Sequence, residues 1–236
     1  MIRIFPDANA VAHESAARFS EIARASIAAR GTFTVALSGG STPRCMFQML
    51  ADESFLNAAE WTKVQFFWSD ERCVPPDHPD SNYRMANEAL LSKIAISPDQ
   101  VHRMHGEEIP PDAAASYAAL VTPVRFDLIL LGMGPDGHTA SLFPGSKVLH
   151  ETKAAVAANW VEKFNTWRIT MTAPFINQAA IVMFLIDGAK KAPALKEVLE
   201  GARNPELYPA QMIKPSDGDI EWMLDQAAAA NLNVHG

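Results

Sequence analysis

The residues best suited to chemistry lie in LILLGMGPDGHTASLFPG, positions 128–145, where Asp136 and His138 stand two positions apart in a glycine-rich turn. An imidazole titrates near neutral pH, so His138 can take a proton from water and return it to a departing oxygen. The apolar run at 128–131 reads as a buried strand, being short and bounded by glycine. Gly132, Gly134 and Gly137 then allow backbone conformations closed to other residues and a close approach to a ligand. A histidine at the carboxyl end of such a strand sits where open α/β sheets bind their ligands.

A second segment, Ser38-Gly39-Gly40-Ser41-Thr42-Pro43, has the composition of an anion cradle. It follows a β-branched, apolar run at 32–37 and precedes 44–51, where Met46, Phe47, Met49 and Leu50 fall at helical spacing. Pro43 suits a first helical turn. Glycines leave N–H groups uncovered, hydroxyls add donors, and the helix N-terminus attracts anions. The segment is neither a G-x-G-x-x-G dinucleotide loop nor a Walker-type loop, since no Gly-Lys-Ser/Thr follows. A third apolar run at 64–68 ends in Ser69-Asp70-Glu71-Arg72; a proline-rich loop then leads to a helix at 84–94, with Ser81 as its cap. Three strand ends thus carry glycine, hydroxyl or charged groups.

SGGSTP, SDERCVPPDHPDSNYRMANEALL and LGMGPDGHTASLFPG, in this order and spacing, resemble the 6-phosphogluconolactonase family. The similarity continues through Arg168-Ile169-Thr170-Met171-Thr172-Ala173-Pro174 and Gly188-Ala189-Lys190-Lys191-Ala192, and so covers most of the chain. It implies a Rossmann-like sheet shared with sugar-phosphate isomerases and deaminases. It also implies hydrolysis of the lactone of 6-phosphogluconate in the oxidative pentose phosphate pathway.

Such a reaction must hold a phosphate, bind a polyhydroxy ring and add water to an ester carbonyl. Ser38, Gly39, Gly40, Ser41 and Thr42 are the first phosphate candidates, with Arg44, Arg168 and Lys191 as cationic partners. The family pattern places an arginine at 168, and its Gly-x-x-Lys-Ala pattern favours Lys191 over Lys190. Arginine grips phosphate oxygens in a fork, whereas lysine acts as a point charge. His138 is the expected base; Asp136 orients the imidazole or contacts substrate hydroxyls. Arg72, with the N–H groups around Gly132, Gly134 and Gly137, is expected to stabilise charge on the carbonyl oxygen. Asp70 is expected to support these groups or bind a hydroxyl. A covalent route through Ser141 or Cys73 requires a base within hydrogen-bonding reach, and direct attack by water ranks above it. A lactone needs neither a metal nor a cofactor, and the sequence offers a motif for neither.

Two other readings compete. In amino-sugar-phosphate deaminase-isomerases the histidine loop continues through Asn-Glu-Pro and supplies a ring-opening glutamate. Here Ser141-Leu142-Phe143-Pro144 follows, with no carboxylate in that place. A non-catalytic sugar-phosphate sensor of the regulator type carries a DNA-binding helix-turn-helix, for which this chain has neither spare length nor a basic recognition helix.

The elements that must position these groups alternate. Strands are expected at 2–5, 32–38, 64–68, 101–104, 126–131, 154–158, 168–172, 180–185 and 212–213, and helices at 8–29, 43–51, 84–94, 112–121, 190–200 and 220–230. This pattern implies an α/β fold, a Rossmann-like and largely parallel sheet flanked by helices on both faces, with positions 1–236 forming one domain. Hydrophobic residues at 48% and charged ones at 20% describe an ordinary globular protein. A net charge of −7 argues against a general nucleic-acid surface. Cys45 and Cys73 show neither metal-ligand spacing nor a disulfide framework. No apolar stretch reaches the ~20 residues of a membrane span and no signal peptide is evident. The expected setting is cytoplasmic, as monomer or homodimer, with a small phosphorylated sugar lactone as the binding partner.

Overall fold

Short apolar runs that alternate with helical segments bury both kinds of apolar surface by forming a sheet covered on its two faces. The computed structural model describes residues 1–56 and 59–233. Its elements are β1 (Ile2–Phe5), α1 (Ala8–Arg30), β2 (Phe33–Leu37), α2 (Ser41–Leu50), α3 (Glu53–Leu56), β3 (Val64–Trp68), β4 (Asp70–Arg72) and α4 (Asn82–Ala89). There follow α5 (Pro110–Val121), β5 (Leu128–Leu131), β6 (Val156–Val161), β7 (Thr166–Met171), α6 (Ala173–Ile176), β8 (Ile181–Ile186), α7 (Ala192–Glu200) and β9 (Asp219–Asp225).

Six strands form a parallel sheet in the order β1-β9-β8-β5-β2-β3. Because side chains alternate along a strand, its two faces feed separate cores. Val35, Leu37, Leu128, Leu130 and Met183 pack with Phe19 of α1 and Phe47 of α2. Ala36, Ile129, Leu131 and Phe184 pack with Tyr117 of α5 and Leu195 of α7, in a cluster that continues into Ile169 and Met171 of a small antiparallel sheet, β4-β7-β6. The expectation of a largely parallel sheet with helices on both faces holds.

The strand order locates the site. From β2 the chain moves to β3 on one side, and β5 later inserts on the other, so the winding reverses between β2 and β5. Loops leaving the carboxyl ends of strands at such a reversal part and open a crevice.

Several expected elements differ. Positions 220–230 do not form a helix: 219–225 is β9, paired with β1 and β8 inside the sheet. Ile220, Trp222 and Leu224 do alternate, but acidic residues and the following alanine run disguise the strand. Glu221 is buried and held in a fork by Arg18 of α1, with Nη2 at 2.7 Å and Nε at 3.1 Å from Oε1. Positions 212–213 lie at the end of a 3-10 turn, not in a strand, and 101–104 contributes only a single bridge from Val101 to Phe66. The strand expected at 154–158 starts at Val156 and extends to Val161. The helix expected at 84–94 spans Asn82–Ala89, with Ser81 as its cap.

Candidate active site

The first wall of the site is the turn from β2 into α2. Gly40, with φ of 110°, takes a conformation that L side chains rarely adopt. A Cβ on Gly39 would lie 1.9 Å from Asn82 Oδ1, so glycine is required for the two to pack. Initial N–H groups of α2 lack intrahelical acceptors and carry the positive end of its dipole. Thr42 donates its hydroxyl to Asp187 Oδ1 at 2.8 Å, and Lys191 Nζ lies 3.4 Å from the same oxygen. Asp187, one residue past β8, therefore fixes the Lys191 ammonium beside the helix start.

The second wall follows β3. Tyr117 of α5 locks the strand end, accepting from Trp68 N at 2.9 Å and donating to Trp68 O at 3.2 Å. Burial raises the Tyr117 phenol far above its ordinary range. Asp70 is buried and accepts from Ser141 Oγ at 2.7 Å and Asn82 Nδ2 at 3.2 Å. Glu71 caps α4, accepting from the N–H groups of Asn82 at 2.7 Å and Tyr83 at 2.8 Å, while burial pushes its carboxyl above the usual value. Arg72 donates through Nη1 to the Asp80 carbonyl at 2.6 Å. Across the β4–β7 pair stands Arg168, whose guanidinium burial and then Arg72 both push down from its ordinary pKa.

The third wall is the loop after β5. Gly134 N donates to His138 O at 2.9 Å and Gly137 N to Gly134 O at 3.0 Å, closing a tight turn. This brings His138 Nδ1 within 2.5 Å of Asp136 Oδ1, and Lys163 Nζ approaches Asp136 Oδ2 at 2.9 Å. Burial works to raise the Asp136 carboxyl; the hydrogen bonds from His138 and Lys163 outweigh it and hold the group far below the usual carboxylate range. An ionised Asp136 accepts, so Nδ1 is the donor, and Nε2 is the nitrogen that Asp136 does not engage. Phe143 stacks on the imidazole at 4.2 Å.

These walls enclose a cleft of about 180 Å³. It is lined by Ser38, Gly39, Gly40, Ser41 and Thr42 from the first loop, Asp70, Arg72 and Asn82 from the second, Gly132, Gly134 and His138 from the third, and Lys191. Arg44 is exposed on α2 and Arg168 half-buried beside Arg72; neither lines the cleft. Gly137 lies outside it as well; its φ is 74°, and a Cβ there would meet Tyr208 Cδ1 at 2.9 Å. Asp136 reaches the cleft through His138. Of the adjacent lysines, Lys190 is exposed and Lys191 faces the cleft.

Four contributors escaped the sequence reading: Asn82, Asp187, Lys163 and Phe143. Asp187-Gly188 follows an apolar run just as the other three site loops do, a signal that would have found it. Asn82 sat in a loop read only for its helix cap.

Gly134 allows a direct test. A Cβ there would lie 2.1 Å from His138 Cε1 and 2.8 Å from Asp136 Oδ1. Gly134→Ala is expected to displace the imidazole and lower kcat about 100-fold. An unchanged kcat would mean the ring position matters little.

An open parallel sheet with a polar cleft at its winding reversal defines the class of α/β proteins that bind ligands at that crevice. Within it, this chain belongs to the glucosamine-6-phosphate isomerases/6-phosphogluconolactonase family, whose pattern matches residues 6–222. It is 42% identical over 216 residues to the 6-phosphogluconolactonase of Synechocystis sp., covering 87% of each chain. It is 37% identical over 243 residues to that of Nostoc sp., covering 99% of this chain and 98% of the relative. The solved structure of 6-phosphogluconolactonase from Trypanosoma brucei superposes with a TM-score of 0.88 at 30% identity, over 98% of both chains.

Proposed function

We propose that this protein hydrolyses 6-phospho-D-glucono-1,5-lactone to 6-phospho-D-gluconate in the oxidative pentose phosphate pathway, with His138 activating the attacking water. The observation that carries the mechanism is the His138 imidazole, committed to Asp136 through Nδ1 and lining the same cleft as the α2 N-terminus and Lys191. The substrate phosphate sits at the 38–42 loop against Lys191. Asp70 and Asn82 take ring hydroxyls, and Arg72 with the N–H groups of the 132–134 segment faces the carbonyl.

Water attacks the carbonyl carbon as its proton passes to His138 Nε2. The developing oxyanion is stabilised by Arg72 and the loop N–H groups. Collapse breaks the bond to the ring oxygen, which takes the proton back from the imidazolium, and the new carboxylic acid ionises. Asp136 stays ionised throughout. Direct attack is favoured over a covalent route because Ser141, although its hydroxyl reaches the Asp70 carboxylate, is buried and does not line the cleft, and burial pushes the Cys73 thiol up to about 11. The reaction uses no metal or cofactor.

No helix among the described residues is long and apolar enough to cross a membrane. Two free cysteines suit a reducing compartment. We place the enzyme in the cytoplasm, acting as monomer or homodimer, with no nucleic-acid or membrane partner.

Hydrolysis of freshly generated lactone, measured above its spontaneous rate before and after exhaustive chelation, tests this reading. The expected result is acceleration untouched by chelation. Turnover of glucosamine 6-phosphate in its place would support the deaminase reading, and loss on chelation would overturn the metal-free mechanism.

A further inference from the structure

The dyad is reached from outside the parallel sheet. Strands β6 and β7 form a hairpin whose tip, Glu162–Phe164 and Asn165, turns through a left-handed residue at Asn165, φ 47°. That turn sets two consecutive side chains against the histidine loop. Lys163 Nζ lies 2.9 Å from Asp136 Oδ2. Phe164 meets Phe143 edge-on at 5.7 Å, and Phe143 stacks on His138.

Taken alone, the Lys163–Asp136 pair is a half-exposed ion pair, a type usually worth little to stability. Its position gives it another role. One oxygen of Asp136 holds His138 Nδ1 and the other holds Lys163, so the ammonium fixes the plane of the carboxylate that aims the imidazole.

We propose that Lys163 is a positioning residue for the hydrolysis, acting through Asp136 to orient His138. The proposal rests on the mechanism above, in which His138 is the base. Its ammonium shares the negative charge of Asp136, which would otherwise favour the imidazolium. Phe164, from the same tip, keeps Phe143 on the ring. The other charged groups facing His138 are Asp70 and Arg72 from β4 and Lys191 beyond β8, all lining the cleft. None of them hydrogen-bonds Asp136, whereas Lys163 does.

The test compares kcat and KM across pH for wild type, Lys163→Met, Lys163→Arg, Asp136→Asn and the Asp136→Asn/Lys163→Met pair. Removing the ammonium is expected to lower kcat about three- to five-fold. It should move the acidic limb of the pH profile upward and leave KM within about two-fold. The sign follows because loss of the positive charge lets the imidazole hold its proton to higher pH. Lys163→Arg should restore the wild-type profile. In the Asp136→Asn background, Lys163→Met should cost nothing further, since its partner is gone.

An unchanged profile in Lys163→Met overturns the proposal. So does a raised KM with kcat intact, which would make Lys163 a substrate contact. Equal loss with and without Asp136 would overturn it too. Melting temperatures measured alongside separate a folding defect, which would appear in Lys163→Met and Lys163→Arg alike. Absence of lactone turnover by the wild type would instead overturn the functional reading itself.

Discussion

His138→Ala is expected to lower kcat by about 10²–10⁴-fold, the usual contribution of a positioned general base, while leaving the Kd for 6-phosphogluconate nearly unchanged. The split follows from the geometry. His138 and the phosphate loop occupy different walls of one cleft, and truncating an imidazole removes no group from the 38–42 loop or from Lys191. The imidazole also stacks on Phe143, so the alanine variant leaves a cavity beside the ring, which water can fill. Any residual acceleration should lose the acidic limb of the pH profile, because that limb reports the base. Rapid lactone assays together with calorimetric titration of the product check both halves. Turnover within a few-fold of wild type would remove His138 as the base, and a large rise in Kd would reassign it to binding.

Lys191→Ala should show the opposite pattern. A charge-assisted contact to phosphate is worth about 1.5–3 kcal/mol, so binding of every 6-phosphorylated ligand is expected to weaken about 10- to 100-fold, with kcat the lesser casualty. Unphosphorylated gluconolactone should be handled almost as by the wild type, because the lost ammonium had nothing to hold there. Asp187 adds a second consequence: in the variant its carboxylate keeps only the Thr42 hydroxyl among its two cleft-side partners. A negative charge then remains close to the phosphate loop. Lys191→Ala/Asp187→Asn should therefore recover part of the lost affinity. Arg168→Ala is expected to weaken the same ligands through the field it shares with Arg72. If Lys191→Ala lost only turnover, the phosphate would have to sit elsewhere.

The local features of this chain were legible from its residues alone. Each site loop follows a short apolar run that ends abruptly in small, hydroxylated or charged residues, and such runs form strands wherever they pack. His138, Asp136, Arg72, Asp70 and the 38–42 loop were therefore recognisable, as was the alternation that implies a helix-flanked parallel sheet. The family resemblance came from the same segments.

Partnership between distant segments was not legible, because hydrophobic periodicity says which face is buried but not what lies opposite. β9 looked helical since its buried Glu221 gains acceptance only through Arg18, some two hundred positions away. Nothing in the sequence marked Lys163, which only the β6–β7 hairpin carries to Asp136. Arg44 and Arg168 carry the charge that phosphate requires, yet helix rotation exposes one and strand register sets the other beside Arg72 rather than in the cleft. Residue type and local pattern thus determined which chemistry the chain can do. Only the folding of three strand ends onto one winding reversal decided which of its charges share the cleft, since a charge acts over a few ångströms and sequence distance does not measure them.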